Sequence, residues 1–518
     1  MSILRQENIN RLKASSNETY DVLVIGGGAT GLGVAVDAAA RGFKTVLLEQ
    51  ADFAKSTSSR STKLVHGGVR YLQQGDVKLV REALHERGRL RRNAPHLVKT
   101  ETFVIANYKA WQQPFYTVGM FVYDILAGSL NIGHSHPMSK ASVIKSIPKI
   151  KQEGLKGGVS YVDGQFDDAR LAINLMQTAT EKGAILANYT RVTELLKTDG
   201  KIAGVKAQDV FDGSEFEIKA KAVVNAAGIF VDQVMSMDKP EHQAMVRPSQ
   251  GVHLIVDGHF MGGQDSIMVP KTSDGRVLFC VPWHNKVILG TTDTPLTEFT
   301  LEPRPLEEEI DFILKTAGEY LEEAPTRKDV LAAYAGLRPL AAPAKEGETK
   351  EISRSHKLWM EESGLVVITG GKWTTYRQMA EETVDLAIKK GLLPEKACVT
   401  RRMAIHGSAP MGDQSDWLYV YGADGTKISA MPEHAEKLSE KYEFTVAEVL
   451  WAVREEMAQK VEDVLARRVR VLFLDARESK EMAQKVARIM STELGKDAAW
   501  EAKEVAEYLE LADGYILK

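Results

Sequence analysis

The start of the chain contains successive blocks of apolar and small residues in the order expected of a parallel β-α-β unit. A β-branched run at 21–25 is followed by glycines, an alanine-rich stretch at 32–40 and a second apolar run at 45–48. This order of strand, turn, helix and strand is typical of α/β proteins. We therefore predict a parallel sheet that begins with these residues.

The rest of the chain divides into a mixed region and a helical region. Between 245 and 300, apolar and polar residues alternate as in antiparallel strands, so we expect a second domain inserted into the first. After Pro394 the pattern is almost wholly helical as far as Lys518. The periodicity predicts further helices at 77–92, 168–182, 305–323 and 374–390, and strands near 184–188, 202–210, 222–225 and 365–369.

Composition places the chain among ordinary globular proteins. Its 518 residues are 44% hydrophobic and 26% charged, and 66 basic against 70 acidic residues give a net charge of −4. Wholesale coating of nucleic acid is not expected at this charge. Only Cys280 and Cys398 are present, which argues against a disulfide scaffold or a cysteine-rich zinc site and suits a reducing compartment.

The sequence does not predict a membrane span. The N-terminal stretch is polar and lacks the pattern of a secretory signal, and the apolar run at 116–130 is shorter than the ~20 residues that a spanning helix needs. Peripheral contact stays open. The helix at 78–92 carries six basic and two acidic residues, so it is suited to lie on anionic lipid, although a solvated or internally paired helix is an equal alternative.

A glycine motif follows the first strand directly. Gly26, Gly28 and Gly31 have the spacing that permits a tight turn, a close approach of the backbone to a pyrophosphate and close packing of helix on strand. Glu49 lies 18 residues beyond Gly31, at the end of the second strand, where an acid can bind a ribose 2′-hydroxyl. The set predicts a Rossmann-type dinucleotide site for NAD or FAD rather than NADP.

Three further segments favour FAD. Residues 56–72 are rich in Ser, Thr and Gly and offer bonds to a pyrophosphate and a ribityl chain, although such a cluster is ordinarily only a loop. The segment 223–228 (VVNAAG) places small residues beside the first unit, and 366–376 (VVITGGKWTTY) runs a strand through two glycines into a helix. No second complete glycine motif appears, so we expect the substrate to reduce the flavin directly.

In these blocks the chain resembles the FAD-dependent glycerol-3-phosphate dehydrogenases. The resemblance rests on VIGGGATGLGVAVDAAARG, TSSRSTKLVHGGVRYL, VNAAGIFVD, SQGVHL, AGLRPL, SRSHKL, GGKWTTYR and VEDVLARRVRVLFLD, which run in order from residue 24 to about 475. It implies oxidation of sn-glycerol 3-phosphate to dihydroxyacetone phosphate, with hydride passing to the flavin and electrons then to a quinone. It also implies a cytoplasmic enzyme held peripherally on the inner face of the cytoplasmic membrane.

The resemblance and the patterning together give the expected domains. An α/β, Rossmann-type FAD-dependent oxidoreductase domain is expected over 18–390, with a C-terminal helical domain over 391–518. Within the first domain, the flavin-binding parts are expected at about 18–95, 155–243 and 345–390, and an inserted antiparallel-sheet substrate domain at about 96–154 and 244–344. The C-terminal helices could cover the flavin domain, mediate a homodimer or support a membrane face.

The family blocks also imply roles for individual residues. His253 is expected to be the base for the substrate hydroxyl, because a histidine titrates near the operating pH; His66 is the second choice, or fixes the flavin loop. Phosphate binding calls for cations. The catalytic set is His253, Arg338 and Lys372, and the substrate-binding set is Arg70, Tyr71 and Arg354. The FAD-binding set is Gly26, Gly28, Gly31, Glu49, Ser58, Ser61, His66, Gly67, Ala227, Gly228, Gly371 and Thr375, and no metal site is expected.

Several rival functions remain open at this level. A glycerol-3-phosphate oxidase would pass the same electrons to oxygen and release hydrogen peroxide. A flavin amine oxidase shares the first motif, but it would bind a carboxylate and has less use for several cations. A non-catalytic FAD-binding scaffold and a nucleic-acid-binding flavoprotein complete the alternatives, and no nucleic-acid partner is expected because the net charge is negative.

Overall fold

The structure is a computed structural model that describes residues 3–15, 17–73, 75–272, 275–341 and 356–518. The helices are α1 (Ile3–Ala14), α2 (Ala29–Ala40), α3 (Val69–Gln73), α4 (Val77–Asn93), α5 (Gln112–Ala127), α6 (Lys140–Ser146), α7 (Asp168–Glu181), α8 (Val231–Asp238), α9 (Glu307–Tyr320), α10 (Tyr376–Lys389), α11 (Gly425–Ser429), α12 (Val446–Glu455), α13 (Val471–Leu474), α14 (Ala476–Leu494) and α15 (Ala498–Asp513).

The strands are β1 (Thr19–Ile25), β2 (Thr45–Leu48), β3 (Leu64–Val65), β4 (Lys99–Asn107), β5 (His136–Ser139), β6 (Gly157–Gln165), β7 (Ile185–Ala187), β8 (Thr190–Thr198), β9 (Lys201–Asp209), β10 (Glu215–Asn225), β11 (Val246–Asp257), β12 (Ser266–Val269), β13 (Leu278–Trp283), β14 (Lys286–Gly290), β15 (Thr294–Pro295), β16 (Ala332–Ala341), β17 (Lys357–Met360) and β18 (Val366–Thr369).

The first sheet confirms the Rossmann-type fold. Its strands run in the order β17-β18-β10-β1-β2-β7, and the β18-β10, β10-β1, β1-β2 and β2-β7 pairs are parallel. The small residues of α2 allow that helix to pack closely against α10. Because β1 and β2 are buried on both faces, they read as continuous apolar runs, as strands of covered parallel sheets do.

The second sheet contains the alternating stretch seen in the sequence. It runs in the order β15-β11-β14-β13-β12-β4-β6-β3, with β16 paired to β11 and β5 to β6, and its pairs are antiparallel except β12 with β4. Strand β6 belongs to this sheet although it falls within 155–243, the range assigned to flavin binding. The reason is its long antiparallel register with β4, from Lys99↔Gln165 to Asn107↔Gly157.

The region after α10 is helical, as predicted, and buried ion pairs hold it to the first sheet. Asp52, which follows β2, accepts hydrogen bonds from Arg467 Nε at 2.6 Å and Arg468 Nη1 at 2.7 Å. Arg470 donates to Asp168, the first residue of α7, at 2.9 Å. All five side chains are buried, so this region packs as part of the core rather than as an appendage.

Helix α4 does not present all of its charge to solvent. Arg87 is buried and donates to Asp163 at 2.6 Å, and Glu86 is buried and accepts from Arg377 at 2.7 Å. Arg87 therefore lies outside any exposed basic face on this helix. None of the helices in the described ranges combines the length and apolar character needed to cross a bilayer.

Candidate active site

Two adjoining cavities lie where the two sheets meet, at the carboxyl ends of β1 and β10. The first has a volume of about 360 Å³ and the second about 390 Å³, and Gly28, Ser58 and Gly228 line both. They are therefore two ends of one cleft. Open α/β sheets bind their ligands at this end of the strands.

Most residues singled out in the sequence line this cleft. The first cavity takes Ser61, His66, Arg70, Tyr71, His253, Arg338, Gly371 and Lys372. The second cavity takes Gly26, Glu49 and Ala227. Gly31, Gly67 and Thr375 lie outside both walls, and Arg354 lies outside the described residues.

The glycine turn forms the bend between β1 and α2. Gly26 has φ of 110°, and a Cβ there would lie 2.7 Å from the carbonyl oxygen of Ala226. A Cβ on Gly31 would lie 1.9 Å from the carbonyl oxygen of Gly26. Gly31 thus allows close packing of helix on turn, while Gly28 faces the cleft at the start of α2, where backbone N–H groups favour an anion.

Glu49 closes the second cavity from the end of β2. Its Oε2 accepts from the amide of Gly27 at 2.6 Å, and its Oε1 accepts from the amide of Ala51 at 2.9 Å. Burial raises the pKa of this carboxyl, and the two amide hydrogen bonds oppose that shift. The carboxyl group is thereby fixed next to the glycine turn, where the sequence analysis expects a ribose.

At two positions, the residue that lines the first cavity is adjacent in the sequence to the one predicted to bind FAD. Thr375 is buried, and its hydroxyl donates to a backbone carbonyl at 3.2 Å, whereas Thr374 lines the first cavity. The amide of Gly67 donates to the hydroxyl of Tyr123 at 2.7 Å, whereas Gly68 lines the cavity. Thr374 and Gly68, rather than their neighbours Thr375 and Gly67, therefore line the first cavity.

His253 is buried on β11 and faces the first cavity. Its Nε2 lies 2.8 Å from Thr62 Oγ1, and its ring stacks on Tyr334 with centroids 4.9 Å apart. Its Nδ1 is buried and has no hydrogen-bond partner among the described residues. Burial, reinforced by the charges of Lys63 and Arg338, holds the pKa of this imidazole well below its usual value. A neutral ring able to accept a proton therefore faces the cavity.

Cationic side chains from separate elements converge on the same cavity. Arg338, on β16, donates from Nη1 to the carbonyl of Thr292 at 3.1 Å and lies 3.2 Å from Asp293 Oδ1. Lys372 places its Nζ 3.9 Å from the centroid of the Tyr71 ring. Arg70 lines the same cavity. Because three cationic side chains share this wall, the cavity is suited to a small dianion.

Sequence reasoning missed two cationic wall residues. Arg276 precedes β13 and lines the first cavity, with its guanidinium 4.4 Å from the centroid of the Phe312 ring. Arg60 also lines it and donates to Glu302 at 2.6 Å. Arg60 stands within the Ser- and Thr-rich block, which was the available signal, whereas nothing local marks Arg276.

A buried ion-pair cluster supports the loop that holds Thr62. Lys63 Nζ donates to Asp168 at 2.8 Å and to the carbonyl of Ser59 at 3.0 Å. Arg470 donates to the same carboxyl group. Burial lowers the pKa of Lys63 to about 8. The C-terminal region thus helps to fix the loop that contacts His253.

The residues of the cleft fit a flavin dinucleotide. The second cavity offers a glycine turn and a carboxyl group, and the first offers small residues and backbone N–H groups near a histidine with an unsatisfied, buried nitrogen. Gly370 and Gly371 both have positive φ, 78° and 82°, so the backbone turns sharply at the cavity wall. No cluster of three or more metal-ligating side chains occurs in the part of the chain that the structure describes.

Comparison with known proteins shows the same architecture over the whole chain. Residues 21–386 match the family described as FAD dependent oxidoreductase, and residues 366–501 match the C-terminal domain of alpha-glycerophosphate oxidase. The mitochondrial glycerol-3-phosphate dehydrogenase of Bos taurus is 40% identical, over 99% of this chain and 75% of the bovine protein. The mitochondrial enzyme of Schizosaccharomyces pombe is 38% identical, over 95% and 87%.

A solved structure agrees with these relatives. The glycerol-3-phosphate dehydrogenase from Bacillus halodurans, complexed with FAD, is 29% identical and superposes with a TM-score of 0.81 over 100% of this chain and 98% of that chain. The shared fold, the cleft and the identity over nearly the full length lead to one conclusion. The chain belongs to the family of FAD-dependent glycerol-3-phosphate dehydrogenases.

Proposed function

We propose that this protein oxidises sn-glycerol 3-phosphate to dihydroxyacetone phosphate and passes the electrons to a quinone. The observation that carries the proposal is a buried His253 in a cavity whose wall also carries Arg70, Arg338 and Lys372. FAD, when bound, supplies the acceptor for the hydride that leaves C2 of the substrate.

His253 accepts the proton of the substrate hydroxyl. A base must be unprotonated at the operating pH, and burial beside Lys63 and Arg338 disfavours the charged imidazolium. Thr62 and Tyr334 hold the ring by a hydrogen bond and a stacking contact. The chain thus fixes the orientation of the base before substrate arrives.

The arginines hold the phosphate and so place the carbon chain. Arginine presents paired N–H donors that match phosphate oxygens, and Arg338 is itself positioned by Thr292 and Asp293. Arg70 and the aromatic ring of Tyr71 lie on α3 at the same wall. Lys372, above that ring, is the proposed partner of the C2 oxygen.

The acceptor and the location complete the proposal. The relatives compared above are named dehydrogenases, which favours an acceptor other than oxygen, and we propose a quinone reached from the inner face of the cytoplasmic membrane. A glycerol-3-phosphate oxidase is the second candidate, because the matched C-terminal family takes its name from alpha-glycerophosphate oxidase.

An anaerobic acceptor panel tests the proposal. The FAD-loaded enzyme is mixed under argon with sn-glycerol 3-phosphate or its enantiomer, and the reduced enzyme is then offered a short-chain quinone or oxygen. We expect bleaching with the sn-3 substrate and rapid recovery of colour with quinone. Hydrogen peroxide formed in step with product, without a quinone requirement, would establish the oxidase instead. An absence of bleaching by both enantiomers would refute the proposal.

A further inference from the structure

Lys63 is a buried cation one residue away from the threonine that contacts His253. Its side chain is 0% exposed, and it lines neither cavity. The ammonium donates to Asp168 Oδ2 at 2.8 Å and to the carbonyls of Ser59 and Ser61 at 3.0 and 3.4 Å. Because a buried charge is stable only where partners replace its hydration, these three contacts fix the ammonium in one place.

Three aromatic rings surround the same ammonium. Its Nζ lies 5.3 Å from the centroids of the Trp283 and Tyr334 rings and 5.5 Å from that of Phe473, distances at which a cation is attracted to a ring. Trp283 belongs to β13, Tyr334 to β16 and Phe473 to α13. The second sheet and the C-terminal region therefore enclose Lys63 together.

The contacts of Lys63 and those of His253 share one loop and one ring. The carbonyl of Ser61 accepts from Lys63 at 3.4 Å and from the hydroxyl of Tyr334 at 3.1 Å. The Tyr334 ring stacks on the imidazole, and Thr62, the next residue along the loop, lies 2.8 Å from its Nε2. Lys63 thus fixes both of the groups that orient the imidazole.

Asp168 joins this loop to the C-terminal region. Its Oδ2 accepts from the amide and the hydroxyl of Ser61, at 3.0 and 2.7 Å, as well as from Lys63. Its Oδ1 accepts from Arg470, which also donates to the carbonyl of Ser59 at 3.1 Å. Lys63 and Arg470 therefore share one carboxylate and one loop carbonyl, so the C-terminal region reaches the imidazole through Lys63.

The charged and titratable groups around the imidazole come from separate elements. Lys63 lies on the loop before β3, Tyr334 and Arg338 lie on β16, and Asp293, the partner of Arg338, follows β14. The cavity wall adds His66, Arg70, Tyr71 and Lys372. Burial lowers the pKa of His253 most, followed by the charge of Lys63 and then that of Arg338. A phosphate bound at Arg338 would offset the charge of that arginine, whereas Lys63 lies behind the wall and keeps its effect.

We propose that Lys63 is a positioning residue for His253: it fixes the loop and the ring that orient the imidazole, and its positive charge keeps the imidazole unprotonated while substrate is bound. The inference rests on the proposed function, in which His253 accepts the substrate proton. It extends that function to the C-terminal region, because Arg470 and Phe473 complete the surroundings of Lys63.

The protonation of His253 tests the role of the charge directly. The FAD-loaded protein, isotope-labelled at histidine Cε1, is titrated with acid and followed by NMR, and the spectrum of His253→Asn identifies the resonance. Lys63→Gln removes the charge but keeps a polar group for the loop carbonyls. We expect the protonation midpoint of His253 to rise by about one pH unit or more in this variant. An unaltered titration curve would overturn the inference.

Arg5 supplies the matched control. It is also buried, and it donates to one carboxylate, that of Asp209, at 2.9 Å and to the carbonyls of Asn188 and Tyr189 at 3.0 and 3.2 Å. It lines neither cavity. Arg5→Gln therefore removes a buried cation with the same kinds of partners, and we expect it to leave the titration of His253 as in the unmodified protein.

Single-turnover reduction of the flavin by sn-glycerol 3-phosphate gives the second readout. We expect Lys63→Gln to slow reduction at saturating substrate about tenfold or more, because a displaced base loses its alignment. The dissociation constant of the substrate should stay close to the native value, since Lys63 lines neither cavity. Weaker substrate binding with a native rate of reduction would overturn the positioning role.

Two further provisions keep the test decisive. Should Lys63→Gln cost the flavin, Lys63→Met, which keeps the length of the side chain among the three rings, gives the same test. Failure of the unmodified enzyme to be reduced by sn-glycerol 3-phosphate would count against the proposed function, while the NMR titration would still decide whether the charge of Lys63 keeps His253 unprotonated.

Discussion

Replacing His253 by asparagine is expected to stop catalysis while leaving the flavin bound. Asparagine is smaller and retains a polar atom for Thr62, whose Oγ1 lies 2.8 Å from Nε2 in the native protein, but it cannot take up the substrate proton. A positioned base contributes about 10²- to 10⁴-fold to rate. At 1.36 kcal/mol per tenfold, the loss corresponds to about 3–5 kcal/mol of transition-state stabilisation.

The assay is anaerobic, single-turnover reduction of the flavin at saturating sn-glycerol 3-phosphate. It excludes the acceptor step, so a slower rate reports on the proton and hydride transfers. His284→Asn is the matched control, because His284 is a half-buried histidine that stacks on Trp417 with ring centroids 5.0 Å apart and does not line either cavity. A His253→Asn rate within a few-fold of the native rate would refute the assignment of the base.

The pH dependence supplies a second readout of the same residue. The pKa of His253 is held well below its usual value in the folded protein by burial, Lys63 and Arg338, whereas in the unfolded chain it is about 6.5. As the pH falls below about 6.5, the unfolded state gains a proton that the folded state does not take. Stability from this group is therefore complete above that pH and is lost on acidification, and urea titrations should show a smaller loss in His253→Asn.

Three further changes probe phosphate binding, domain packing and the glycine turn. Arg338→Ala should raise the KM for glycerol 3-phosphate about tenfold or more by removing a charged donor, measured by steady-state kinetics. Asp52→Ala leaves the buried Arg467 and Arg468 short of their shared carboxylate and should lower the free energy of unfolding by about 3–5 kcal/mol, measured by urea titration. Gly31→Ala places a Cβ 1.9 Å from a backbone oxygen and should reduce FAD content, measured by absorbance against protein.

Each of these changes has its own contrary result. An unaltered KM would remove Arg338 from the phosphate site. An Asp52→Ala protein that unfolds at the native urea midpoint would mean that the C-terminal region is held by apolar packing alone. Full flavin occupancy in Gly31→Ala would show that the turn can open without loss of the cofactor.

Local patterns explain why the first sheet was predictable. The turn needs glycine at positions 26, 28 and 31, and the flanking strands need continuous apolar runs because they are buried on both faces. Residues adjacent in the sequence therefore specify both features. The position of helix α4 is predictable for the same reason. What its charges contact was not predictable, because Arg87 pairs with Asp163, a residue 76 positions away.

The residues of the candidate site likewise fall into those that sequence motifs indicate and those that only the fold brings to the cavity. His253 and Arg338 reach the same cavity only because β11 pairs with β16, which sets His253 opposite Tyr334 and Arg338 opposite Ser249. The family motifs, rather than periodicity, indicate both residues. Arg276 has no such motif and emerged only from the fold. Whether Thr374 or Thr375 lines the cavity depends on where the preceding turn ends. Sequence patterns do not resolve such an end to a single residue.

An anaerobic titration of the FAD-loaded protein with sn-glycerol 3-phosphate tests the central claim most directly. If the cationic cavity and His253 oxidise this substrate, flavin colour will fall in proportion to the amount added, and one dihydroxyacetone phosphate will form for each flavin bleached. Colour that is indifferent to sn-glycerol 3-phosphate, or that falls instead with sarcosine or a D-amino acid, would contradict the account.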